Sequence, residues 1–208
     1  MESLRYTKVS KAIRTLVIIA AAYFWATSAA PVRGDELQLE YKVKAAFLYN
    51  FLKFVDWPAE RMADSNEPIT IGIIGKDPFR DAFESIKDKK IRDRKVAVRR
   101  FKGLKQLEES DPNQTRRQYG ALRKCHLLFV CSSEEKNVRK ILKIVRDHPV
   151  LTVGDTRGFL EAGGVLNFLT ENDKLRFEIN IAAAEQARLK IRAQLLRLAK
   201  RVIKKKSP

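Results

Sequence analysis

The chain has 208 residues, of which 45% are apolar, and carries 42 Lys and Arg against 25 Asp and Glu for a formal net charge of +17. The apolar fraction is sufficient for the buried core of one domain of ordinary size, which excludes a wholly disordered chain. The excess of cations favours an anionic partner, such as nucleic acid, a membrane surface or the acidic face of a protein.

Residues 1–34 have the layout of a secretory signal peptide. Four basic residues precede an uninterrupted apolar run at residues 16–25, and small residues follow at 26–30. The run is shorter than the roughly 20 residues of a membrane span, so we predict a cleaved leader, with an uncleaved anchor as the alternative. Either way the domain, residues 35–208, faces away from the cytosol, and we expect it in the periplasm. Without the leader the formal charge falls to about +13, because five basic residues and one acidic residue are removed.

The rest of the chain predicts helices that alternate with short, nearly all-apolar strands. In chain order the expected elements are a helix at 35–55, a strand at 69–75, a short helix at 77–86, an edge strand at 95–101, a helix at 104–109 with a mobile loop after it, a strand at 126–130, a helix at 133–146, a strand at 150–153 and a hairpin at 163–180. Apolar spacing at residues 181–203 then predicts one long amphipathic helix. We therefore predict an α/β three-layer sandwich with a mostly parallel sheet, a C-terminal antiparallel hairpin and a long C-terminal helix.

The two cysteines, Cys125 and Cys131, flank one predicted strand. In an extended chain their α-carbons lie about 20 Å apart, at roughly 3.3 Å per residue. A disulfide needs a separation below about 7 Å, so we expect no bridge within the molecule. A single nearby histidine does not complete a metal-binding pattern, and two buried small residues are the simpler interpretation.

No motif in the sequence indicates catalysis. Gly72 and Gly75 follow a strand, but they match neither nucleotide-binding glycine pattern. His126 and His148 are the only histidines, and no serine lies in a nucleophile elbow. We therefore predict a binding protein that is not an enzyme, with no cofactor and no metal.

The most promising binding segment is the loop at residues 155–158, because open α/β sheets bind ligands at the carboxyl ends of their strands. Arg157 either holds an anion there or is an ordinary exposed arginine. Glu178 and Asn180 share the non-core face of the last hairpin strand, where they serve binding, an ion pair or a helix cap. The candidate ligand- or partner-binding residues are Trp57, Asp155, Arg157, Asn167, Glu178 and Asn180.

Taken together in order, several segments resemble the YfiR family of periplasmic regulators, which is also described as a domain of unknown function. The segments are Lys44 to Phe51 with Trp57-Pro58, Ile71 to Phe79, Cys125 to Phe129, Pro149 to Val153, the hairpin that begins at Gly163-Gly164, and Leu195-Leu196. The similarity spans residues 40 to 199. The matching positions are mainly core and turn residues, so they bear more on fold than on partner contacts.

The resemblance implies a periplasmic repressor without enzymatic activity. The characterised relative binds the sensor domain of an inner-membrane diguanylate cyclase, and an outer-membrane lipoprotein sequesters it, which raises cyclic-di-GMP output. Such proteins tend to form dimers, and no nucleic acid is expected as a partner. The presence of only two cysteines departs from the disulfide-containing relative. Two other functions remain open: a small-ligand receptor that uses residues 155–158, and an anion or nucleic-acid binder that uses the Lys-rich tail.

Overall fold

The computed structural model describes residues 32–64 and 66–204, so the predicted signal peptide lies outside the described residues apart from its last three. The chain divides into a short unit, residues 1–37, and a larger unit, residues 38–208, which contains the sheet. None of the helices within the described ranges combines the length and apolarity needed to cross a membrane.

Eight strands form the main sheet in the order β10-β8-β7-β6-β5-β2-β4-β3. Their bounds are β2 (Ile69–Ile74), β3 (Lys90–Ile91), β4 (Arg94–Phe101), β5 (Leu127–Val130), β6 (Leu151–Gly154), β7 (Leu166–Glu171), β8 (Lys174–Asn180) and β10 (Arg201–Ile203). Five neighbouring strands are parallel, in the spatial order β4, β2, β5, β6 and β7. Strands β7 and β8 form the antiparallel hairpin. The prediction of a mostly parallel sheet with an antiparallel hairpin is confirmed.

Helices cover both faces of this sheet. Their bounds are α1 (Val32–Phe54), α2 (Leu104–Glu108), α3 (Pro112–Arg123), α4 (Val138–Val145), α5 (Ile181–Gln186) and α6 (Ala193–Leu198). One core contains Phe51 of α1 and Phe129 of the sheet, together with apolar residues of α5 and α6. The second core joins α2, α3 and α4 to Phe159 on the other face. The three-layer α/β prediction is therefore confirmed.

The single long helix predicted at residues 181–203 is wrong. The segment contains α5, then the two-residue strand β9 (Lys190–Ile191), then α6 and β10. Arg188 adopts a φ of 56°, which terminates helical geometry. β9 pairs with β1 (Val55–Asp56), and Arg192 bonds the Asp56 carboxylate at 2.7 Å, so tertiary pairing overrides the helical period.

Two further local predictions are also wrong. Residues 77–86 form turns and a short 3-10 helix, Glu84–Ile86, because the Asp77 side chain accepts a hydrogen bond from the Phe79 amide at 2.8 Å and closes a turn instead. The loop predicted after residue 109 is the helix α3. Asp111 caps α3 by accepting from the amides of Asn113 and Gln114, and Pro112 occupies its first turn.

Candidate functional site

A cavity of about 490 Å³ lies where β6 ends, beside β7, β8 and β10. Four of the six candidate residues line it: Asp155, Arg157, Asn167 and Glu178. Thr156, Glu161 and Arg201 also line this carboxyl-edge cavity. Parallel strands end at the same edge of a sheet, and that edge is the usual place for a ligand site in α/β folds.

Strand register builds one wall of the cavity. Gly154 of β6 pairs with Asn167 of β7, Asn167 pairs with Glu178 of β8, and Glu178 pairs with Arg201 of β10. Directly paired residues share a face of the sheet, so these positions form a row across four strands. A Cβ on Gly154 would lie 2.5 Å from the Phe159 ring, so the glycine allows the loop after β6 to pack closely.

Two side chains of helix α1 hold the Asp155 side chain in place. Lys44 Nζ lies 2.7 Å from Asp155 Oδ2, and the Tyr41 hydroxyl donates to the same oxygen at 3.0 Å. The Lys44 and Asp155 side chains are only 5% and 7% exposed, so this ion pair is buried. Burial, and then the Asp155 carboxylate, raise the pKa of Tyr41, so its hydroxyl remains a donor.

Three buried oxygens at the cavity lack a hydrogen-bond partner within the described part of the chain: Asp155 Oδ1, Thr156 Oγ1 and Asn167 Oδ1. A buried polar atom without a partner costs about 1–3 kcal/mol, so native proteins rarely leave three of them together. A ligand or partner that brings N–H or O–H donors would offset this cost.

The rim of the carboxyl-edge cavity is charged. Arg201 donates two hydrogen bonds to the Glu178 carboxylate, at 2.7 and 2.9 Å, and one to Glu161 at 3.1 Å. Hydrogen bonds to Glu178 and then Glu161 raise the pKa of Arg201, so the guanidinium stays charged. Arg157 is exposed at this rim, where it is accessible to a partner. The cavity thus combines an acceptor-rich interior with a charged border.

The other two candidate residues lie elsewhere. Trp57 is buried near the amino ends of the strands, with its ring edge-on to His126 at a centroid distance of 6.0 Å. Asn180 caps α5 by accepting from the Ala183 amide at 3.0 Å, and it donates to the Leu160 carbonyl at 3.1 Å. Asn180 therefore serves as a helix cap, which was one of the roles expected for it. Glu178 forms an ion pair and also lines the cavity.

Sequence reasoning did not select Tyr41, Lys44, Thr156, Glu161 or Arg201. A usable signal existed for Lys44, because it interrupts the buried stripe of α1 and is itself 4% exposed. A lysine on such a stripe requires an anionic partner. No comparable signal marked Thr156 or Arg201, whose positions depend on loop packing and on the unexpected strand β10.

Both cysteines and one of the two histidines are buried in uncharged forms. Burial raises the pKa of the Cys125 thiol to about 12, and it likewise raises the pKa of Cys131, so both free thiols stay protonated. Burial, with the charges of Arg61 and Arg94, lowers the pKa of His126 to about 3. Within residues 32–64 and 66–204 no group of metal-ligating side chains converges. The arrangement at the cavity supports recognition by hydrogen bonds and charge.

The chain is therefore an α/β domain with a polar cavity at the carboxyl ends of its central strands. The scan against protein families matches residues 41–200 to the YfiR/HmsC-like family (DUF4154). The chain belongs to the YfiR/HmsC-like family. A search of curated proteins found no match.

Two solved structures resemble the chain. A conserved domain protein from Vibrio cholerae O1 biovar eltor matches with a TM-score of 0.52 at 10% identity, covering 78% of this chain and 60% of that chain. An ABC domain in complex with L-Trp from Streptococcus pneumoniae matches with a TM-score of 0.47 at 14% identity, covering 64% of this chain and 55% of that chain. The first match supports the fold alone. This chain spans 60% of the length of the Vibrio cholerae chain.

Proposed function

We propose that the protein is a periplasmic, non-enzymatic regulator that binds the sensor domain of an inner-membrane signalling protein of the diguanylate cyclase type and represses it. Membership of the YfiR/HmsC-like family supports a periplasmic regulator of cyclic-di-GMP signalling. The leader-like residues 1–34 support export by a cleaved signal peptide.

The single observation that carries the proposal is the unsatisfied polar interior of the carboxyl-edge cavity. Asp155, Thr156 and Asn167 each keep one buried oxygen without a protein donor. A partner segment that inserts N–H donors there would satisfy these atoms, and a partner carboxylate would pair with Arg157 at the rim. Recognition of this kind requires no chemistry from the regulator.

Repression follows if the regulator binds the inactive state of the sensor more tightly than the active state. Each 1.4 kcal/mol of differential affinity shifts the balance of states tenfold, so a few hydrogen bonds made in only one state suffice for strong control. An outer-membrane lipoprotein that binds the same chain would relieve repression by competition. We include that lipoprotein and a homodimer in the proposed assembly.

The proposal is tested by measuring intracellular cyclic-di-GMP in cells that lack the protein. Deletion should raise the concentration, and the wild-type chain should restore it. Arg157→Glu should fail to restore it, because the reversed charge repels the partner carboxylate without disturbing the core. Arg116→Glu provides the control, since Arg116 is exposed on α3 and lies outside the cavity.

Unchanged cyclic-di-GMP after deletion would contradict the regulatory role. Equal failure of both variants would instead assign the effect to general loss of positive charge. Fractionation of a tagged chain tests export separately, and recovery with cytosolic markers would contradict the proposed location.

A second candidate function is that of a periplasmic receptor for a small or anionic ligand at the same cavity. Its volume of about 490 Å³ falls within the range of roughly 300–1,000 Å³ typical of small-molecule sites. A thermal-shift panel of metabolites separates the two functions, because a ligand specific for the native state raises the Tm. Thr156→Val should abolish such a shift by removing one of the unpaired oxygens.

A further inference from the structure

A second polar cluster lies at the opposite edge of the sheet, where the parallel strands begin. The amino-edge cluster consists of Trp57 after β1, Arg61 in the 3-10 helix Ala59–Met62, Arg94 at the start of β4 and His126 just before β5. Trp57, Arg94 and His126 are 8%, 4% and 0% exposed. Three large side chains with polar nitrogens are therefore more than nine-tenths buried at one place in the fold.

Direct contacts connect the members of this cluster. The rings of Trp57 and His126 lie edge-on with centroids 6.0 Å apart, and Arg61 Nη2 lies 3.3 Å from His126 Nδ1. Arg61 Nη1 donates to Glu67 Oε2 at 3.1 Å, and Arg94 Nη2 lies 3.9 Å from the same oxygen. The four side chains thus form one group rather than four separate observations.

Each member keeps one buried nitrogen without an acceptor in the described part of the chain: Trp57 Nε1, Arg61 Nε, Arg94 Nη2 and His126 Nε2. Indole and guanidinium nitrogens can only donate. The Thr70 amide donates to His126 Nδ1 at 3.0 Å, so Nδ1 is the unprotonated nitrogen and Nε2 carries the hydrogen. All four unpaired atoms are therefore hydrogen-bond donors.

The cluster carries an excess of positive charge, which favours an anion just as its unpaired donors do. Two guanidinium groups share one carboxylate, that of Glu67, whose side chain is 42% exposed. Neutral His126 contributes no balancing charge, because burial and both arginines lower its pKa to about 3. A buried excess of positive charge with unpaired donors is stabilised by an anion and by no cation.

We propose that the amino-edge cluster binds one small anion, of halide or carboxylate size, through the N–H groups of Trp57, Arg94 and His126, with Arg61 adding positive charge beside it. Trp57, Arg94 and His126 are at most 8% exposed, so only a small anion is expected to reach them. This site lies at the other edge of the sheet from the carboxyl-edge cavity, and it does not depend on the regulatory function proposed above. It gives the amino edge an electrostatic partner that the chain itself does not supply.

The indole N–H of Trp57 provides the direct test, because a hydrogen bond to an anion moves its proton resonance downfield. In the ¹⁵N-labelled full chain, chloride and acetate are titrated at ionic strength held constant with gluconate, which is too large for the site. The Trp57 signal, identified by its loss in Trp57→Phe, should shift saturably. A response that is linear, or equal in gluconate, would overturn the proposal and identify the cluster as a structural or hydrated one.

Two further measurements keep the test independent of one probe. Thermal unfolding should show a Tm that rises by roughly 5 °C when the small anion reaches about 100-fold its Kd. Trp57→Phe should weaken anion binding about tenfold, as expected for one charge-assisted hydrogen bond. Tyr119→Phe, which removes an O–H on α3, should leave the affinity for the anion unchanged.

Crystals soaked in bromide should show an anomalous peak beside Trp57 Nε1 and Arg94 Nη2. Absence of this peak would contradict the site.

Discussion

The two edges of the sheet carry opposite kinds of unsatisfied polar groups. At the carboxyl edge the unpaired buried atoms are the oxygens of Asp155, Thr156 and Asn167, whereas at the amino edge they are the four nitrogens of the amino-edge cluster. The two groups lie at opposite ends of the same sheet, the oxygens at the end of β6 and on β7 and the nitrogens near the starts of β4 and β5. The carboxyl edge is therefore complementary to a donor-bearing partner, and the amino edge is complementary to an anion.

The two edges also differ in how they are built. The carboxyl-edge cavity has an open volume of about 490 Å³ and an exposed charged rim, which suits recognition of another molecule. The amino-edge cluster is instead mostly buried, since Trp57, Arg94 and His126 are at most 8% exposed, which suits a resident ion. Unsatisfied polar atoms thus indicate the kind of ligand only when their hydrogen-bonding chemistry and their exposure to solvent are considered together.

The largest expected effect concerns the buried ion pair that supports the carboxyl edge. Lys44→Met should destabilise the fold by about 3–5 kcal/mol, because it leaves the buried Asp155 carboxylate without its cation. Lys42→Met is the matched control, since Lys42 is exposed on the same helix and should change stability by less than about 0.5 kcal/mol. Denaturant unfolding measures both, and equal stability of the two variants would show that the pair does not support this edge.

The next effect concerns the close approach of Phe159 to the end of β6. Gly154→Ala places a methyl group 2.5 Å from the Phe159 ring, and overpacking of this kind costs about 1–3 kcal/mol. Gly120→Ala should instead stabilise by up to about 1 kcal/mol, because Gly120 is helical and has open space around its Cβ position. Opposite signs in thermal unfolding are expected, and a neutral Gly154→Ala variant would contradict the proposed loop packing.

A smaller effect tests the amino edge through pH. His126 stays neutral in the folded protein down to a pKa of about 3. The unfolded chain binds a proton near pH 6.5, so stability should fall as pH decreases below that value, approaching about 1.4 kcal/mol per pH unit. The decline continues until the folded pKa is reached, and pH 7 to 5 is the window in which carboxylates interfere least.

His126→Asn is the variant for this measurement, because its side-chain oxygen can still accept from the Thr70 amide. It should remove most of the slope between pH 7 and 5. His148→Gln should retain most of it, since His148 is only partly buried. An unchanged slope in His126→Asn would mean that other groups govern the acid response.

The smallest expected effect is at the rim of the carboxyl-edge cavity. Glu178→Gln removes the charge that holds Arg201, whose side chain is 48% exposed. The Glu178 side chain is 15% exposed, so the pair is partly exposed, and its loss should cost about 1 kcal/mol. Regulatory activity in the cyclic-di-GMP assay should nevertheless fall, because Arg201 loses its charged partner on β8 and keeps only Glu161 at the cavity rim. Loss of stability beyond this value would indicate that the rim has a structural role.

The layer architecture could be predicted from the sequence because each central strand is a short apolar run, such as Leu127–Val130, buried on both faces. The C-terminal segment could not, because its apolar residues fit a helical period while Arg188 takes a left-handed φ and Lys190 pairs with Asp56. Local patterns do not contain such long-range pairings. The loop predicted after residue 109 contains Asp111-Pro112, a pair that suits a turn and is equally effective at starting a helix, as it does in α3.

The candidate site was predictable in part, because two of its residues follow a strand that the sequence predicts. Asp155 and Arg157 follow a buried strand, and the rule for α/β sheets places them at a ligand-binding edge. Lys44 and Arg201 reach this edge from distant parts of the chain, so only the folded structure brings them together. Trp57 stands before Pro58, where helical geometry is disfavoured, yet its neighbours at the amino edge depend on the tertiary fold.

The most direct test of the account is photo-crosslinking in living cells, with a photoreactive residue at position 157 or, as the control, at position 116. The account predicts an adduct from position 157 with an inner-membrane protein that has a periplasmic sensor domain, and none from position 116. The adduct should disappear when Asn167→Ala is introduced in the same chain. Equal adducts from both positions, or no membrane-protein adduct from position 157, would contradict the claim that the carboxyl-edge cavity binds the partner.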